Sequence, residues 1–316
     1  MEILSKFMLS HDYIKNMQYK YSQLQTIYPK SMHPKKILST VIISLTTVLT
    51  IACSPIKTLN SFIPSDGYTL TQNIDYGQLP RQKLDIYQPR KYAEKRPVVL
   101  FYYGGSWDSG NKEDYKFVAE ALTSKGIITV IPDYRVYPEV AFPEFMKDPA
   151  KVAKWVKDHI NEFGGDPNKI FLVGHSAGAH IAVMLSLNEQ YLAAENLKFT
   201  DFSGTIGSAG PYDFLPVKTN RLKEIFGPEQ DRWKSQPIEF VKGNNQPMLL
   251  LVGLKDSTVW SKNTFNLAAK IKNKGGVVQV VEFPSFGHID MIAKLAKPFR
   301  GDEILIKSIE TFINNH

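Results

Sequence analysis

Short segments, most of them dominated by apolar residues, alternate along most of this chain with longer stretches that mix apolar and charged positions. The runs at 84–87, 98–102, 127–131, 170–173, 204–209, 248–253 and 277–283 have strand length and predict strands. The stretches 112–124, 143–163, 177–187, 262–273 and 302–314 predict helices. Alternation of this kind predicts an α/β fold, a mostly parallel central sheet with helices on both faces. The run Met248-Leu249-Leu250-Leu251-Val252-Gly253 has no polar position and predicts a central strand buried on both sides. There is no internal repeat and no low-complexity segment.

The joint between the strand at 170–173 and the helix at 177–187 carries the first chemistry. It reads Val173-Gly174-His175-Ser176-Ala177-Gly178-Ala179-His180, a G-x-S-x-G pattern. On a strand-to-helix joint this pattern is a nucleophile elbow, whose strained turn lifts the Ser176 hydroxyl clear of the sheet. Gly174 and Gly178 are needed there because a side chain at either place collides with the neighbouring strand or helix.

A serine hydroxyl is a poor nucleophile unless a base takes its proton. An elbow places its partners later in the chain, in the order nucleophile, acid, histidine. After Ser176 come His180, His288 and His316. His180 lies one turn along the elbow helix, facing away from the hydroxyl, and is expected to be a packed or capping residue. His316 is the terminal residue and frays. His288 stands in the loop Pro284-Ser285-Phe286-Gly287-His288, directly after the last strand, and is the expected base. The expected acid is Asp256, in Leu254-Lys255-Asp256-Ser257 after the central apolar run, at the end where open parallel sheets place their ligands. It would hold the His288 tautomer and stabilise the imidazolium. Asp213, in Gly210-Pro211-Tyr212-Asp213-Phe214, is the rival. It ranks second because capping a turn is the ordinary task of an aspartate in that setting.

The strand at 98–102 runs into Tyr103-Gly104-Gly105-Ser106-Trp107. Two glycines let the main chain pass close to the serine and aim amides at a developing negative charge. The Ala177 amide, at the positive end of the elbow helix, is a further donor.

With these motifs in order the chain resembles a serine esterase of the α/β-hydrolase superfamily, in the hormone-sensitive-lipase-like and bacterial feruloyl-esterase-like branch. The resemblance runs over 84–316. It rests on Tyr103-Gly104-Gly105-Ser106-Trp107 for the family's His-Gly-Gly-x-Trp, on Asp133-Tyr134-Arg135-Val136-Tyr137-Pro138-Glu139, and on Gly164-Gly165-Asp166-Pro167 before the elbow. It implies an α/β-hydrolase fold and oxyanion amides from Gly105, Ser106 and Ala177, with Gly104 as the hinge. Tyr103 is a departure: the family's histidine there supports the oxyanion loop through hydrogen bonds, a task left here to a tyrosine hydroxyl. The basic, Pro- and Gly-broken insert at 212–245 is expected to form a small lid, and Trp107, Tyr212, Trp260 and Phe286 to line the mouth of a pocket. A thin lid encloses little of a long acyl chain, so short acyl or aryl esters are the expected substrates. An amidase or formamidase of the kynurenine-formamidase kind uses the same triad and remains an alternative. So does a non-catalytic binding protein on this fold, although such proteins usually lose the serine or the histidine.

The front of the chain is a different object. Lys35-Lys36 precede an uncharged apolar run over 37–52, shorter than the ~20 residues that cross a bilayer, and Cys53 follows at once. A short apolar core, a small residue and the chain's sole cysteine resemble a bacterial lipobox. Cys53 is then the lipidation site, 32–52 a signal peptide and the protein an envelope lipoprotein; a plain anchor or a buried thiol are the alternatives. The segment 1–31 does not fit an export signal, and Met32 makes a natural start. The stretch 53–80 is expected to be a linker and N-terminal segment, and 81–316 the catalytic domain.

At 316 residues and 43% hydrophobic, the chain can bury a large core. Its formal charge of +7 does not point to nucleic acid. Residues 1–52 hold six lysines against Glu2 and Asp12, a net +4, which leaves +3 elsewhere. Part of that is a helix face with Lys147, Lys151, Lys154 and Lys157, read as solvated. A single cysteine forms no internal disulfide, and no His/Cys cluster has metal-ligand spacing. No cofactor is expected, and the expected partner is a small ester substrate.

Overall fold

The computed structural model describes residues 55–91 and 95–316. The chain divides between Phe62 and Ile63 into two units, and of the first only residues 55–62 are described, with helix α1 (Pro55–Ser61). The apolar run 37–52 and Cys53 lie outside the described residues, as do the expected extension at 1–31 and signal peptide at 32–52. Among the described residues no helix is long and apolar enough to cross a membrane.

The second unit is built on one eight-stranded sheet: β1 (Tyr68–Asp75), β2 (Lys83–Pro89), β3 (Arg96–Tyr102), β4 (Ile128–Pro132), β5 (Gly165–His175), β6 (Gly204–Ser208), β7 (Met248–Gly253) and β8 (Val278–Phe283). The spatial order is β1-β2-β4-β3-β5-β6-β7-β8. β1 and β2 pair antiparallel, as do β2 and β4; every other neighbour is parallel. β4 and β7 are buried at every position, as their apolar runs predict, because helices cover both faces of a parallel sheet.

Helices α2 (Lys116–Thr123), α8 (Asp290–Ala293) and α9 (Ile304–Asn315) cover one face. There Val118, Leu122, Met291, Ile292 and Ile309 gather against Phe101, Val173, Ile206 and Leu251. On the other face α3 (Lys147–His159) and α4 (Ala177–Leu187) each pack with the short α5 (Glu189–Ala193), and α4 packs with α7 (Lys262–Asn273). Ala179, Val183 and Leu187 of α4 share one core with Leu267, Ala268 and Ile271 of α7. All of α4 is buried, which explains why its sequence shows no polar face.

The sequence missed β1. Tyr68-Thr69-Leu70-Thr71-Gln72-Asn73-Ile74-Asp75 is largely polar because the strand sits at the sheet edge with half of its positions reaching solvent. Its pairing with β2 breaks between Thr71 and Ile74, where Asn73 turns to φ 57° and its amide donates to Asp85 Oδ1 at 2.8 Å. The sheet begins at Tyr68 and the compact unit at Ile63, upstream of the expected domain start at 81.

The predicted helix at 143–163 is a central α-helix, α3, flanked by single 3-10 turns at Glu144–Met146 and Ile160–Phe163. The insert at 212–245 contains α6 (Asn220–Phe226) and two 3-10 segments, Glu229–Ser235 and Pro237–Phe240. It is tied down at several points: Arg221 Nε donates to Asp108 at 3.0 Å, the Arg221 guanidinium lies 4.2 Å from the Tyr137 ring centre, and the Phe142 amide donates to Ile225 O.

Candidate active site

Four of the loops that matter leave the sheet at the carboxyl ends of parallel strands: Gly104 after β3, Ser176 after β5, Asp256 after β7 and His288 after β8. Open α/β sheets bind their ligands at this edge.

Ser176 has φ 56° and ψ −124°, a backbone conformation a non-glycine residue adopts only when its surroundings enforce it. The enforcement comes from both sides. The Ser176 amide donates to Ser208 O at 2.9 Å and its carbonyl accepts from the His180 amide at 3.1 Å. A Cβ on Gly174 would run into the Gly178 carbonyl, and one on Gly178 into the carbonyls of Tyr102 and Tyr103. The two glycines of the motif are thus demanded by backbone-to-backbone contact, as expected.

His288 joins the two other groups. Its Nδ1 lies 2.7 Å from Asp256 Oδ2, and its Nε2 lies 2.9 Å from Ser176 Oγ. A carboxylate only accepts, so Nδ1 carries the proton and donates to Asp256. The Nε2 lone pair is then left to accept from the Ser176 hydroxyl. The Asp256 side chain is buried, and its other oxygen accepts the amides of Thr258 and Val259 at 2.9 and 2.8 Å. The His288 loop is held by Gly287 N donating to Asp290 Oδ2 at 2.8 Å. His175 adds a support that the sequence did not reveal: its Nε2–H donates to the His288 carbonyl at 3.1 Å. Burial, with the neighbouring His288 charge, lowers the His175 pKa to about 3, so its ring stays neutral.

Asp213, the rival acid, is placed elsewhere. Its carboxylate accepts from Asn266 Nδ2 at 2.6 Å, while the amides of Tyr212 and Asp213 both donate to Asn263 Oδ1. Its carboxylate is engaged by α7 and not by His288, and the turn it stands in is capped by Asn263.

The loop after β3 passes directly beside the serine. A Cβ on Gly104 would stand 3.1 Å from Ser176 Cβ. Gly105, Ser106 and Trp107 follow with φ of 131°, 52° and 61°. The amides of Gly105, Ser106 and Ala177 donate to no backbone carbonyl among the described residues, as an oxyanion hole requires.

Tyr103 is fully buried. Its ring is stacked between Tyr134, at 4.6 Å and 22°, and Tyr115, at 5.3 Å and 11°. Its hydroxyl donates to Asp133 Oδ1 at 2.9 Å and accepts from Arg81 Nη2 at 3.1 Å. Burial and the Asp133 charge push the phenol well above its usual pKa, so it remains a donor. Arg81 also donates to Gly110 O, and the Tyr134 hydroxyl to Tyr103 O. The tyrosine thus ties its loop to the Asp133-Tyr134 segment by hydrogen bonds and by stacking.

The aromatic residues expected at a pocket mouth divide. Trp260 is 58% exposed. Tyr212 is corrected: it is fully buried in the α4–α7 core, its ring against Gly207 and Gly210, which leave it room. Phe286 is stacked on Phe283 and buried. Trp107 is buried against Phe214 and Phe226 of the insert. Loop positions gave no sign of this packing. Among the described residues no group of three or more His, Cys, Asp or Glu is placed to hold a metal ion.

The BD-FAE family model matches residues 84–271, more than half of the chain. The chain belongs to the BD-FAE family. The match takes in Gly104, Ser176 and Asp256 and ends before His288. Among curated proteins, this BD-FAE chain is 37% identical over 250 residues to a probable isoprenylcysteine alpha-carbonyl methylesterase of Oryza sativa subsp. japonica, covering 73% of the chain and 60% of that protein. It is 25% identical to a kynurenine formamidase of Salmo salar, over 71% of the chain and 76% of that protein. The chain spans 58–62% of the length of the first plant methylesterases it matches. A solved structure described as a truncated carbohydrate esterase from gut microbiota superposes with a TM-score of 0.69 at 19% identity, covering 80% of the chain and 98% of that structure. At that identity the likeness is one of fold, and the BD-FAE chain has the α/β-hydrolase fold its sequence predicts.

Proposed function

We propose that this protein is a serine carboxylesterase that hydrolyses short acyl or aryl esters through Ser176, His288 and Asp256. The observation that carries the reading is the unbroken hydrogen-bonded chain from Ser176 Oγ through the His288 ring to buried Asp256. In the reaction, Ser176 Oγ attacks the ester carbonyl carbon while His288 Nε2 takes the hydroxyl proton. The amides of Gly105, Ser106 and Ala177 donate to the oxyanion, and Asp256 stabilises the imidazolium. His288 then gives its proton to the departing alkoxide, leaving the acyl group on Ser176. Water, deprotonated by His288, releases the acid and restores the enzyme.

The preference for short chains is supported by the aromatic packing beside the elbow. Trp107, Phe214 and Phe226 stand in mutual contact there. A methylene is worth about 0.8 kcal/mol only where it is enclosed. The formamidase relative keeps amide substrates as a second reading, because the same groups serve an activated amide. One experiment addresses both: a series of aryl esters from acetate to palmitate, with the matching anilides and a formanilide, is assayed with and without a serine-directed phosphonate. The specificity constant is expected to be highest at acetate or butyrate and to fall along the series, with the phosphonate attached to Ser176. A constant that rises to palmitate removes the short-chain claim. A formanilide preferred over every ester moves the assignment to the amidase.

The protein is further read as lipid-anchored in the bacterial cell envelope through Cys53. Cells fed a labelled fatty acid should mark the wild type and not Cys53→Ser. An unmarked wild type refutes the anchor.

A further inference from the structure

We propose that His180 and Trp107 act as a pair of positioning residues that fix the oxyanion loop. Neither touches the reacting atoms. The inference rests on the esterase reading above and deepens it.

Trp107 follows Ser106 and is the last of three consecutive residues at positive φ. Such backbone is uncommon for a bulky residue and persists only where several contacts determine it. Hydrogen bonds account for the carbonyls: Gly105 O accepts from the amides of Asp108 and Ser109, and Trp107 O accepts from the Tyr137 amide. The side chain is held separately. The Trp107 indole Nε1–H donates to His180 Nδ1 at 3.2 Å, and the two rings meet edge to face at 5.2 Å and 90°.

The tautomer of His180 follows from its other partner. Its Nε2 lies 2.7 Å from the Ser235 carbonyl, which only accepts, so Nε2 carries the proton. Nδ1 must then present a lone pair, the one state that can take the indole N–H. Complete burial keeps the ring neutral, with a pKa lowered to about 4. His180 is also fastened to the nucleophile, since its amide donates to Ser176 O. One neutral imidazole therefore joins the elbow helix, the oxyanion loop and the Ser235 turn of the insert. A small displacement of the loop misplaces the amides of Gly105 and Ser106 relative to the oxyanion, where geometry decides the rate.

The test separates the two hydrogen bonds of His180. Asparagine reproduces the position of Nδ1 and offers an acceptor to Trp107. Glutamine reproduces the position of Nε2 and keeps the donor to Ser235 O. Trp107→Phe deletes the indole donor and keeps an aromatic ring against Phe214 and Phe226. Each variant of the full chain is assayed for kcat and KM on an aryl acetate, for affinity toward an aryl boronic acid that mimics the tetrahedral intermediate, and for Tm. Trp107→Phe and His180→Gln are expected to lose about ten- to a hundredfold in kcat, below the 10²–10³ that loss of a whole oxyanion donor costs. Boronic acid affinity should fall in proportion, with KM within about twofold, while His180→Asn stays near the wild type. A merely structural role moves Tm alike for both His180 variants and spares kcat per folded molecule. Wild-type kcat in Trp107→Phe, or equal losses in His180→Asn and His180→Gln, overturns the inference. Should a His180 variant fail to fold, Trp107→Phe against the wild type decides. A wild type that hydrolyses no ester overturns the esterase reading and this inference together.

Discussion

Ser176→Ala is expected to lower kcat on an aryl acetate by about a million-fold, and His288→Ala by a similar factor. The two should not add. Without the Nε2 acceptor the serine keeps its proton, and without the hydroxyl the base has nothing to activate, so either loss disables the same step. The elbow makes the comparison clean. The strained turn at Ser176 is enforced by main-chain bonds to Ser208 and His180 and by the glycines on either side, none of which needs the hydroxyl. Alanine tolerates that turn as well as serine does, so Ser176→Ala should fold with an unchanged Tm. What remains should be the modest rate that a preorganised oxyanion hole confers on attack by water. Near-normal turnover by a folded Ser176→Ala protein would remove the mechanism.

Asp256→Asn is expected to cost about 10⁴ in kcat, whereas Asp213→Asn should stay within severalfold of the wild type. The reason is the direction of one hydrogen bond. Asparagine at 256 still accepts the amides of Thr258 and Val259 through its oxygen, so the turn keeps its shape. Its NH₂ group then faces His288 Nδ1, where Asp256 Oδ2 stands at 2.7 Å. That donor selects the opposite tautomer, which places a proton on Nε2 and removes the lone pair that Ser176 needs. Asp213 has no such partner, and its loss costs only a bond to Asn266. Measured kcat and Tm for both variants check this. A larger effect at Asp213 in well-folded protein would move the acid to the loop after β6.

Much of this site was legible one residue at a time. Ser176 could be read because the elbow requires glycine at fixed offsets on a strand-to-helix joint. Asp256 could be read because it follows a continuously apolar strand, and His288 by elimination among the later histidines and from its loop after the last strand. Tyr212 illustrates the limit. A tyrosine directly after Gly210-Pro211 looks like a loop aromatic, and only the slot left by Gly207 and Gly210 shows that its ring belongs to the core. His175 and His180 were both visible in the motif, yet their carbonyl acceptors, His288 O and Ser235 O, lie 113 and 55 residues away.

The sequence by itself determined the class of fold and marked a candidate nucleophile and the order of its candidate partners, because hydrophobic periodicity and turn chemistry act over a few residues and are written locally. It also marked Tyr103 as a departure from its family. Only the tertiary structure decided how Tyr103 serves, stacked between Tyr115 and Tyr134 with Asp133 and Arg81 on its hydroxyl. It likewise decided that the polar stretch Tyr68–Asp75 is an edge strand. The separation has a physical cause. Hydrogen-bond direction and ring stacking depend on groups that burial brings together from distant positions, and no local pattern encodes which distant group will arrive.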